Sequence, residues 1–167
     1  QSRYCGPSGR HRCHMPPSSS FAIRTATSAD LPAILDLYRQ AGFGSGTTMD
    51  LERACAKLAR IQSYPDYRLY VVIRDGGPPL GTYVLLVMDN IAHDGRPLAI
   101  VEQVVVTQEQ KGKGLGKFMM QHAMDEARKV GCYKLQLSSH TRFKDAHAFY
   151  DRLGFIRHGY SFYVDLA

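Results

Sequence analysis

Long hydrophobic runs are missing from this chain. No apolar run approaches the ~18 residues that a membrane-spanning helix needs. The 167 residues are 44% hydrophobic and 22% charged, which is typical of one globular domain. We therefore expect a single core and no membrane partner.

Cysteine is scarce, and its spacing excludes the common cysteine-based sites. The four cysteines, Cys5, Cys13, Cys55 and Cys132, contain no C-x-x-C pair. Such pairs are typical of zinc sites and dithiol redox motifs, so we predict no metal site. Reduced thiols, and a first segment without the apolar stretch of a signal peptide, indicate a cytoplasmic protein.

Acidic residues are absent from the first twenty positions, which hold three arginines, a Pro-Pro pair and three consecutive serines. We interpret residues 1–20 as a flexible or artificially added leader, and residues 21–167 as the folded domain. Without the leader the net charge falls from +6 to +3, so much of the basicity belongs to it. Three arginines do not favour nucleic acid as a partner, and contact through the leader stays an alternative hypothesis.

Hydrophobic periodicity predicts the element order βααβββαβαββ. A short strand starts at Phe21, two amphipathic helices follow, and a hairpin turns at Gly76–Gly77. After a mostly apolar strand, a helix runs from about Leu115 to Val130. Another strand and helix precede two closing strands in FIRHGYSFYVDL. The order indicates an α/β (α+β) fold: one twisted sheet of six to seven strands with about four helices on both faces.

Three glycines at alternate positions stand where the long helix begins. In VVVTQEQKGKGLGKFMMQHA, residues 104–123, these are Gly112, Gly114 and Gly116. Neither the P-loop pattern G-x-x-x-x-G-K-[ST] nor the dinucleotide pattern G-x-G-x-x-G fits in any register. Glycines nevertheless let a large ligand approach the backbone amides, and a helix start attracts anions. With three lysines in the same stretch, a pyrophosphate is the expected ligand.

Two stretches together resemble the GNAT superfamily of N-acetyltransferases. KGKGLG is similar to its acetyl-CoA pyrophosphate loop, with Lys111 in the position of an Arg or Gln. AHAFYDRLGF is similar to its second signature, A-x-x-F-Y-x-x-x-G-F. The matching residues of that signature are Ala146, Phe149, Tyr150, Gly154 and Phe155. The resemblance extends from about Phe21 to the C-terminus, and it implies a mostly antiparallel sheet that splays between strands four and five.

The resemblance implies acetyl-CoA as the cofactor and Tyr150 as the acid that protonates its leaving thiolate. The residues expected to bind the cofactor are Val104, Val105, Val106, Lys111, Gly112, Lys113, Gly114, Leu115, Gly116, Lys117 and Tyr150.

Glu102 is the acid that the sequence itself singles out, because it interrupts an otherwise apolar strand, VEQVVV. Strand alternation predicts that it shares a face with Val104 and Val106, near the cofactor arm. We expect it to act as general base through water, with a role as substrate anchor left open. His140 is the alternative base.

The expected activity is acetyl-CoA-dependent transfer of an acetyl group directly to the primary amine of a small molecule, in a ternary complex. We expect Tyr83, Glu102 and His140 to contact that amine. Glucosamine-6-phosphate acetyltransferases carry a Glu-Asp pair where this chain has Glu102 and Gln103, which weakens a sugar-phosphate assignment. Two alternatives stay open: a non-catalytic acyl-CoA sensor, and an acetyltransferase of protein or peptide amines. By the same resemblance, the closing strands suggest a homodimer.

Overall fold

The computed structural model describes residues 20–43 and 49–166, and there the chain forms one five-stranded sheet with four α-helices. Residues 1–19 of the expected leader lie outside the described residues, as do residues 44–48. Within the described ranges, none of the helices combines the length and the apolar character that a bilayer span requires.

The sheet follows the order of the chain. Its neighbouring strands are antiparallel, except that the last two are parallel. The strands are β1 (Phe21–Thr25), β2 (Tyr67–Arg74), β3 (Gly81–Met88), β4 (Leu98–Val106) and β5 (Lys134–Gln136).

The helices cover both faces of the sheet, as predicted. One face carries a cluster that includes Ile34, Leu58 and Val71, and the other carries a cluster that includes Leu85 and Met119. The helices α1 and α2 supply the first cluster, and α3 supplies the second. The helices are α1 (Leu31–Gln40), α2 (Leu51–Ser63), α3 (Leu115–Lys129) and α4 (Lys144–Arg152).

The connection between β2 and β3 spans residues 75–80, and it contains a tight turn at Asp75–Gly76, one residue before the predicted Gly76–Gly77. Asp75 (φ 50°) and Gly76 (φ 74°) both adopt the left-handed conformation. The amide of Gly77 donates to the carbonyl of Arg74 at 2.8 Å. Asp and Gly tolerate the left-handed conformation better than most residues, so an Asp-Gly pair favours this tight turn.

The two closing strands predicted in FIRHGYSFYVDL do not form. Residues 155–166 follow α4 without joining the sheet, so the described chain has five strands rather than six to seven. Tyr160 is 91% exposed, and Tyr163 is 93% exposed. An alternating apolar pattern makes a strand only where another strand pairs with it, and this segment pairs with none.

An ion pair fixes the passage from β1 to α1. Arg24 donates to both carboxylate oxygens of Asp30, at 2.6 and 2.8 Å. The same carboxylate accepts from the amide and the hydroxyl of Thr27, at 2.7 and 2.9 Å. These hydrogen bonds, above all that from Arg24, lower the pKa of Asp30 from its usual 3.8 to about 2.

Candidate active site

The strands β4 and β5 pair over only three residues and then separate. Residues 98–100 pair with residues 134–136, after which β4 continues to Val106 while β5 ends. Beyond Ile100, the edge of β4 that faces β5 has no strand partner in the described chain. This is the expected splay, and its unpaired backbone can receive an extended ligand in the manner of an added strand.

A β-bulge interrupts β4 beside this gap. The residues of β3 on either side of Tyr83 pair with Glu102 and Val105, so Tyr83 faces both Gln103 and Val104. Gln103 adopts φ 54°, which is a left-handed conformation. A bulge of this kind removes the extra residue from the ladder and shifts the alternation of side chains by one.

The bulge reverses the expected facing of Glu102. We predicted that it shares a face with Val104 and Val106, and this is wrong. Those two valines pack into the cluster beneath α3, whereas Val84, the cross-strand partner of Glu102, packs beneath α1 and α2. Because directly paired residues point to the same face, Glu102 is on the α1–α2 side of β4.

The glycine loop connects the end of β4 to the start of α3. Gly112 (φ 74°) and Gly114 (φ 87°) are left-handed, and no atom lies within 4 Å of the position that a Cβ would take on either. The amide of Phe118 donates to the carbonyl of Gly114, so the amides of residues 114–117 precede the first hydrogen bond of the helix. Unpaired amides and the positive end of the helix dipole can bind an anion here. The exposed lysines of this loop are Lys111, Lys113 and Lys117.

The helix α4 packs onto the start of α3 through Phe149. A Cβ on Gly116 would lie 3.2 Å from the Phe149 ring, so that ring fills the space that a larger residue would need. The next residue, Tyr150, packs its half-buried ring against Phe149 and Phe155, with centroids 5.1 and 5.5 Å apart. The two sequence motifs, which are distant along the chain, therefore meet in space.

Glu102 is close enough to Tyr150 for its negative charge to affect the proton affinity of the phenol. Burial raises the pKa of Tyr150, and the negative charge of Glu102 raises it further. Partial burial also raises the pKa of Glu102, although solvent reaches this side chain. A carboxylate with a raised pKa is a stronger proton acceptor, and a phenol that keeps its proton is a donor. Glu102 is therefore a candidate proton acceptor, and Tyr150 is a candidate proton donor.

Tyr83, which we expected at the substrate, is enclosed by the core. It is 0% exposed, and its ring stacks on Tyr70 at 5.2 Å. Its hydroxyl forms a 2.5 Å hydrogen bond with Nδ1 of His122 on α3. This placement does not favour contact between Tyr83 and a substrate.

His140 is exposed and follows β5, in the segment that leads to α4. Its Nδ1 accepts a hydrogen bond from the amide of Arg142 at 3.1 Å, which places the proton of the neutral ring on Nε2. Its carbonyl is 3.0 Å from Nε2 of His147. With one ring nitrogen already accepting, His140 is less suited than Glu102 to take a proton.

Sequence reasoning missed a contact between α1 and the bulge. The hydroxyl of Tyr38 donates to Oε1 of Gln103 at 3.2 Å. Tyr38 fits the apolar stripe of α1, so periodicity places it in the core and gives no sign of a polar contact. Gln103 adopts a left-handed conformation that a glycine would have indicated in the sequence and that a glutamine does not.

Comparison with known proteins points to one family. The model of the acetyltransferase (GNAT) family matches residues 31–155. A glucosamine 6-phosphate N-acetyltransferase of Trypanosoma brucei brucei is 32% identical over 90 residues. That alignment covers 54% of this chain and 59% of the relative, so the chain spans less than two thirds of that protein.

Solved structures share the fold. A protein from Agrobacterium tumefaciens strain C58, assigned as an acetyltransferase, superposes with a TM-score of 0.79 at 30% identity, over 86% of this chain and 99% of that one. The aminoglycoside N-acetyltransferase AAC(6')-Iy, in complex with CoA, gives 0.74 at 17% identity, over 92% and 99%. At that identity, the second likeness shows the fold alone.

Proposed function

Because the chain belongs to the acetyltransferase (GNAT) family, we propose that it is an N-acetyltransferase that moves an acetyl group from acetyl-CoA directly to the primary amine of a small molecule. The observation that carries this proposal is the gap between β4 and β5. A helix start with unpaired amides follows β4, and Glu102, whose negative charge raises the pKa of Tyr150, flanks the bulge.

The residues at the gap fit the cofactor. The unfilled space beside Gly112 and Gly114 admits a pyrophosphate to the amides of residues 114–117. Leu115 contributes through its amide, since its side chain is buried. The unpaired edge of β4 at Val104, Val105 and Val106 offers backbone groups to the pantetheine arm.

Acetyl-CoA, when bound, supplies the thioester whose acyl carbon the amine attacks as the carbon–sulfur bond breaks. Tyr150 donates its hydroxyl proton to the departing sulfur. A phenol has an ordinary pKa of about 10 and a thiol one of about 8.5, so the transfer needs no drastic adjustment. Burial raises the pKa of Tyr150, which keeps the proton in place until it is needed.

Glu102 accepts the proton that the attacking amine must lose, through a water molecule. Its raised pKa makes it a better base than an ordinary carboxylate. Its place on the α1–α2 side of β4 puts it on the opposite face of the strand from the α3 cluster. The amide of Val104, beside the bulge, donates to the oxygen that gains negative charge during the attack.

An amino sugar or another small amine is the proposed acceptor. Relatives named as glucosamine 6-phosphate N-acetyltransferases support an acceptor of this kind. Gln103 stands where the sugar-phosphate enzymes are expected to carry an acid. The amine that this chain acetylates therefore has to be identified by experiment and is not inferred from those relatives.

Release of free thiol from acetyl-CoA tests the proposal. The panel of amines should span amino sugars and their phosphates, aminophosphonates, polyamines, aminoglycosides and short peptides. One small amine with kcat/KM well above the others would support the proposal and identify the acceptor. Preference for peptides would favour a protein acetyltransferase instead. Cofactor binding without thiol release for any amine would overturn the enzymatic proposal and favour an acyl-CoA sensor.

A further inference from the structure

The bulge of β4 is held by a residue that does not favour its own backbone conformation. Gln103 has φ 54°, in the left-handed region that is uncommon for residues other than glycine, asparagine and aspartate. Such a conformation persists where the surrounding structure imposes it. The contacts of Gln103 therefore decide whether the bulge keeps its shape.

Tyr38 provides a contact that can impose this conformation. Its hydroxyl reaches from α1 to Oε1 of Gln103, 65 positions away along the chain, at 3.2 Å. The half-buried ring of Tyr38 packs beside the cluster of α1 and α2 and against Phe43, with centroids 5.6 Å apart. A ring anchored in this way presents its hydroxyl at a fixed place.

The hydroxyl of Tyr38 keeps its proton at neutral pH and can therefore donate a hydrogen bond. Burial raises the pKa of Tyr38 to about 12. Oε1 of Gln103 can only accept, so the contact has one polarity and does not depend on pH in the neutral range.

We infer that Tyr38 is a positioning residue for acetyl transfer. Its hydroxyl holds Gln103 and thereby fixes the bulge, which sets the direction of the Glu102 carboxylate and of the Val104 amide. This inference rests on the proposed function, because those two groups are assigned there as base and oxyanion donor. In the proposed mechanism, Tyr38 itself touches neither substrate nor cofactor.

Removing the hydroxyl should slow the chemical step and leave cofactor binding unchanged. We expect Tyr38→Phe to lower kcat about tenfold, since small displacements of reacting groups are costly. The KM for acetyl-CoA should stay at the wild-type value, because the glycine loop is untouched. Gln103→Met has a similar length and no acceptor, so it should reproduce the effect. The double variant should be no slower than either single variant, because both remove the same hydrogen bond.

Tyr133→Phe is the matched control. This half-buried tyrosine stacks on His93 at 4.2 Å, just before β5 and away from the bulge. It should keep the wild-type kcat. If Tyr38→Phe also keeps the wild-type kcat, or loses kcat and cofactor affinity together with a fall in Tm, the positioning role is overturned.

Amide hydrogen exchange provides a readout that needs no acceptor. In the full chain without ligand, the protected amides of the β3–β4 ladder that flank the bulge should exchange faster in Tyr38→Phe than in Tyr133→Phe or the wild type. These amides belong to the pairs Thr82–Val105 and Val84–Glu102. Equal exchange rates would overturn the claim that Tyr38 holds the bulge. If the wild-type protein acetylates no amine, the proposed function fails, and exchange alone decides whether Tyr38 fixes the bulge.

Discussion

Two protons have to move when an amine displaces a thiol from a thioester, and the proposed mechanism assigns one side chain to each. Burial raises the proton affinity of both Glu102 and Tyr150. The two side chains need different protonation states for the proposed reaction. The carboxyl must be deprotonated to act, whereas the phenol must hold its proton. The negative charge of Glu102 supports the second requirement, because it helps Tyr150 to keep its proton.

Tyr150→Phe should lower kcat by about 100-fold, the low end of what general acids contribute. The affinity for coenzyme A should not change, since the ring contacts with Phe149 and Phe155 are retained. Single-turnover thiol release, together with calorimetric binding of coenzyme A, measures the two effects separately. Full kcat in this variant would contradict the acid role.

Glu102→Gln should remove a step from the pH profile. In the wild type, kcat/KM should rise with pH as the carboxyl, whose pKa is raised by burial, loses its proton and becomes able to accept one. The amide of the variant does not titrate, so activity should be lower and this rise should be lost. Profiles that begin near the ordinary pKa of a glutamate, about 4.3, and extend through neutral pH test this, because the rise should lie above that value. Wild-type rates across that range would contradict the base role.

At the scale of elements, the start of α3 depends on the left-handed backbone of Gly114. Gly114→Ala should cost about 1–2 kcal/mol of stability, the penalty for an alanine in this conformation. It should also weaken coenzyme A binding, because the new methyl group enters the open space proposed for the pyrophosphate.

Gly131→Ala is the control for this prediction. Gly131 follows α3 with φ 77° and has equally open surroundings, so it carries the same backbone penalty away from the loop. Chemical denaturation should show similar losses for the two variants, and calorimetry should show weakened coenzyme A binding for Gly114→Ala alone. Equal coenzyme A affinity in both variants would contradict a pyrophosphate site at the loop.

The ion pair between β1 and α1 should make stability depend on pH in the acid range. The pKa of Asp30 is about 2 in the folded chain and 3.8 ordinarily, so its contribution is complete above pH 3.8 and is lost as pH falls towards 2. We expect this contribution to be about 1–2 kcal/mol, reduced from the full linkage value because Arg24 is partly exposed. Urea denaturation of the wild type and Asp30→Asn should show a difference that shrinks from pH 5 towards about pH 2. A constant difference would contradict this assignment.

For the whole molecule, cofactor binding should raise thermal stability. Coenzyme A at about 100 times its Kd stabilises the folded state by about 2.7 kcal/mol. For a chain of this size, Tm should then rise by about 5–10 °C. Differential scanning fluorimetry measures the shift, and Gly114→Ala should reduce it at the same ligand concentration. No shift in the wild type would contradict coenzyme A binding, and with it both the enzyme and the sensor.

Much of the molecule could be predicted because its elements follow local rules. The apolar stripe of α3 and the glycines before it define where that helix begins, and Gly131 marks its end. Two features could not be predicted in this way. The closing strands required a partner that the described chain does not provide, and the facing of Glu102 required knowledge of the bulge at Gln103. Both depend on strand pairing, which alternation along a single segment does not reveal.

The candidate site was predictable where backbone chemistry leaves a mark on the sequence. The glycine loop is such a mark, because few other residues adopt its conformations. The contact between Tyr38 and Gln103 leaves no such mark on the sequence, because a tyrosine within an apolar stripe is already explained by the packing of its ring in the core. The cofactor residues and the roles of Glu102 and Tyr150 stay predictions until the variants above are measured.

The strand β4 contains one residue more than its packing requires. If Gln103 were deleted, Val101, Val104 and Val106 would still alternate onto the face beneath α3, and the ladder with β3 would run without interruption. Gln103 therefore has the character of an insertion that the fold could discard without rearranging its core. Insertions and deletions of a single residue within a strand normally exchange its two faces, whereas here the deletion would restore regularity. The extra residue in β4 therefore serves the geometry of the site and is not needed for the packing of the sheet.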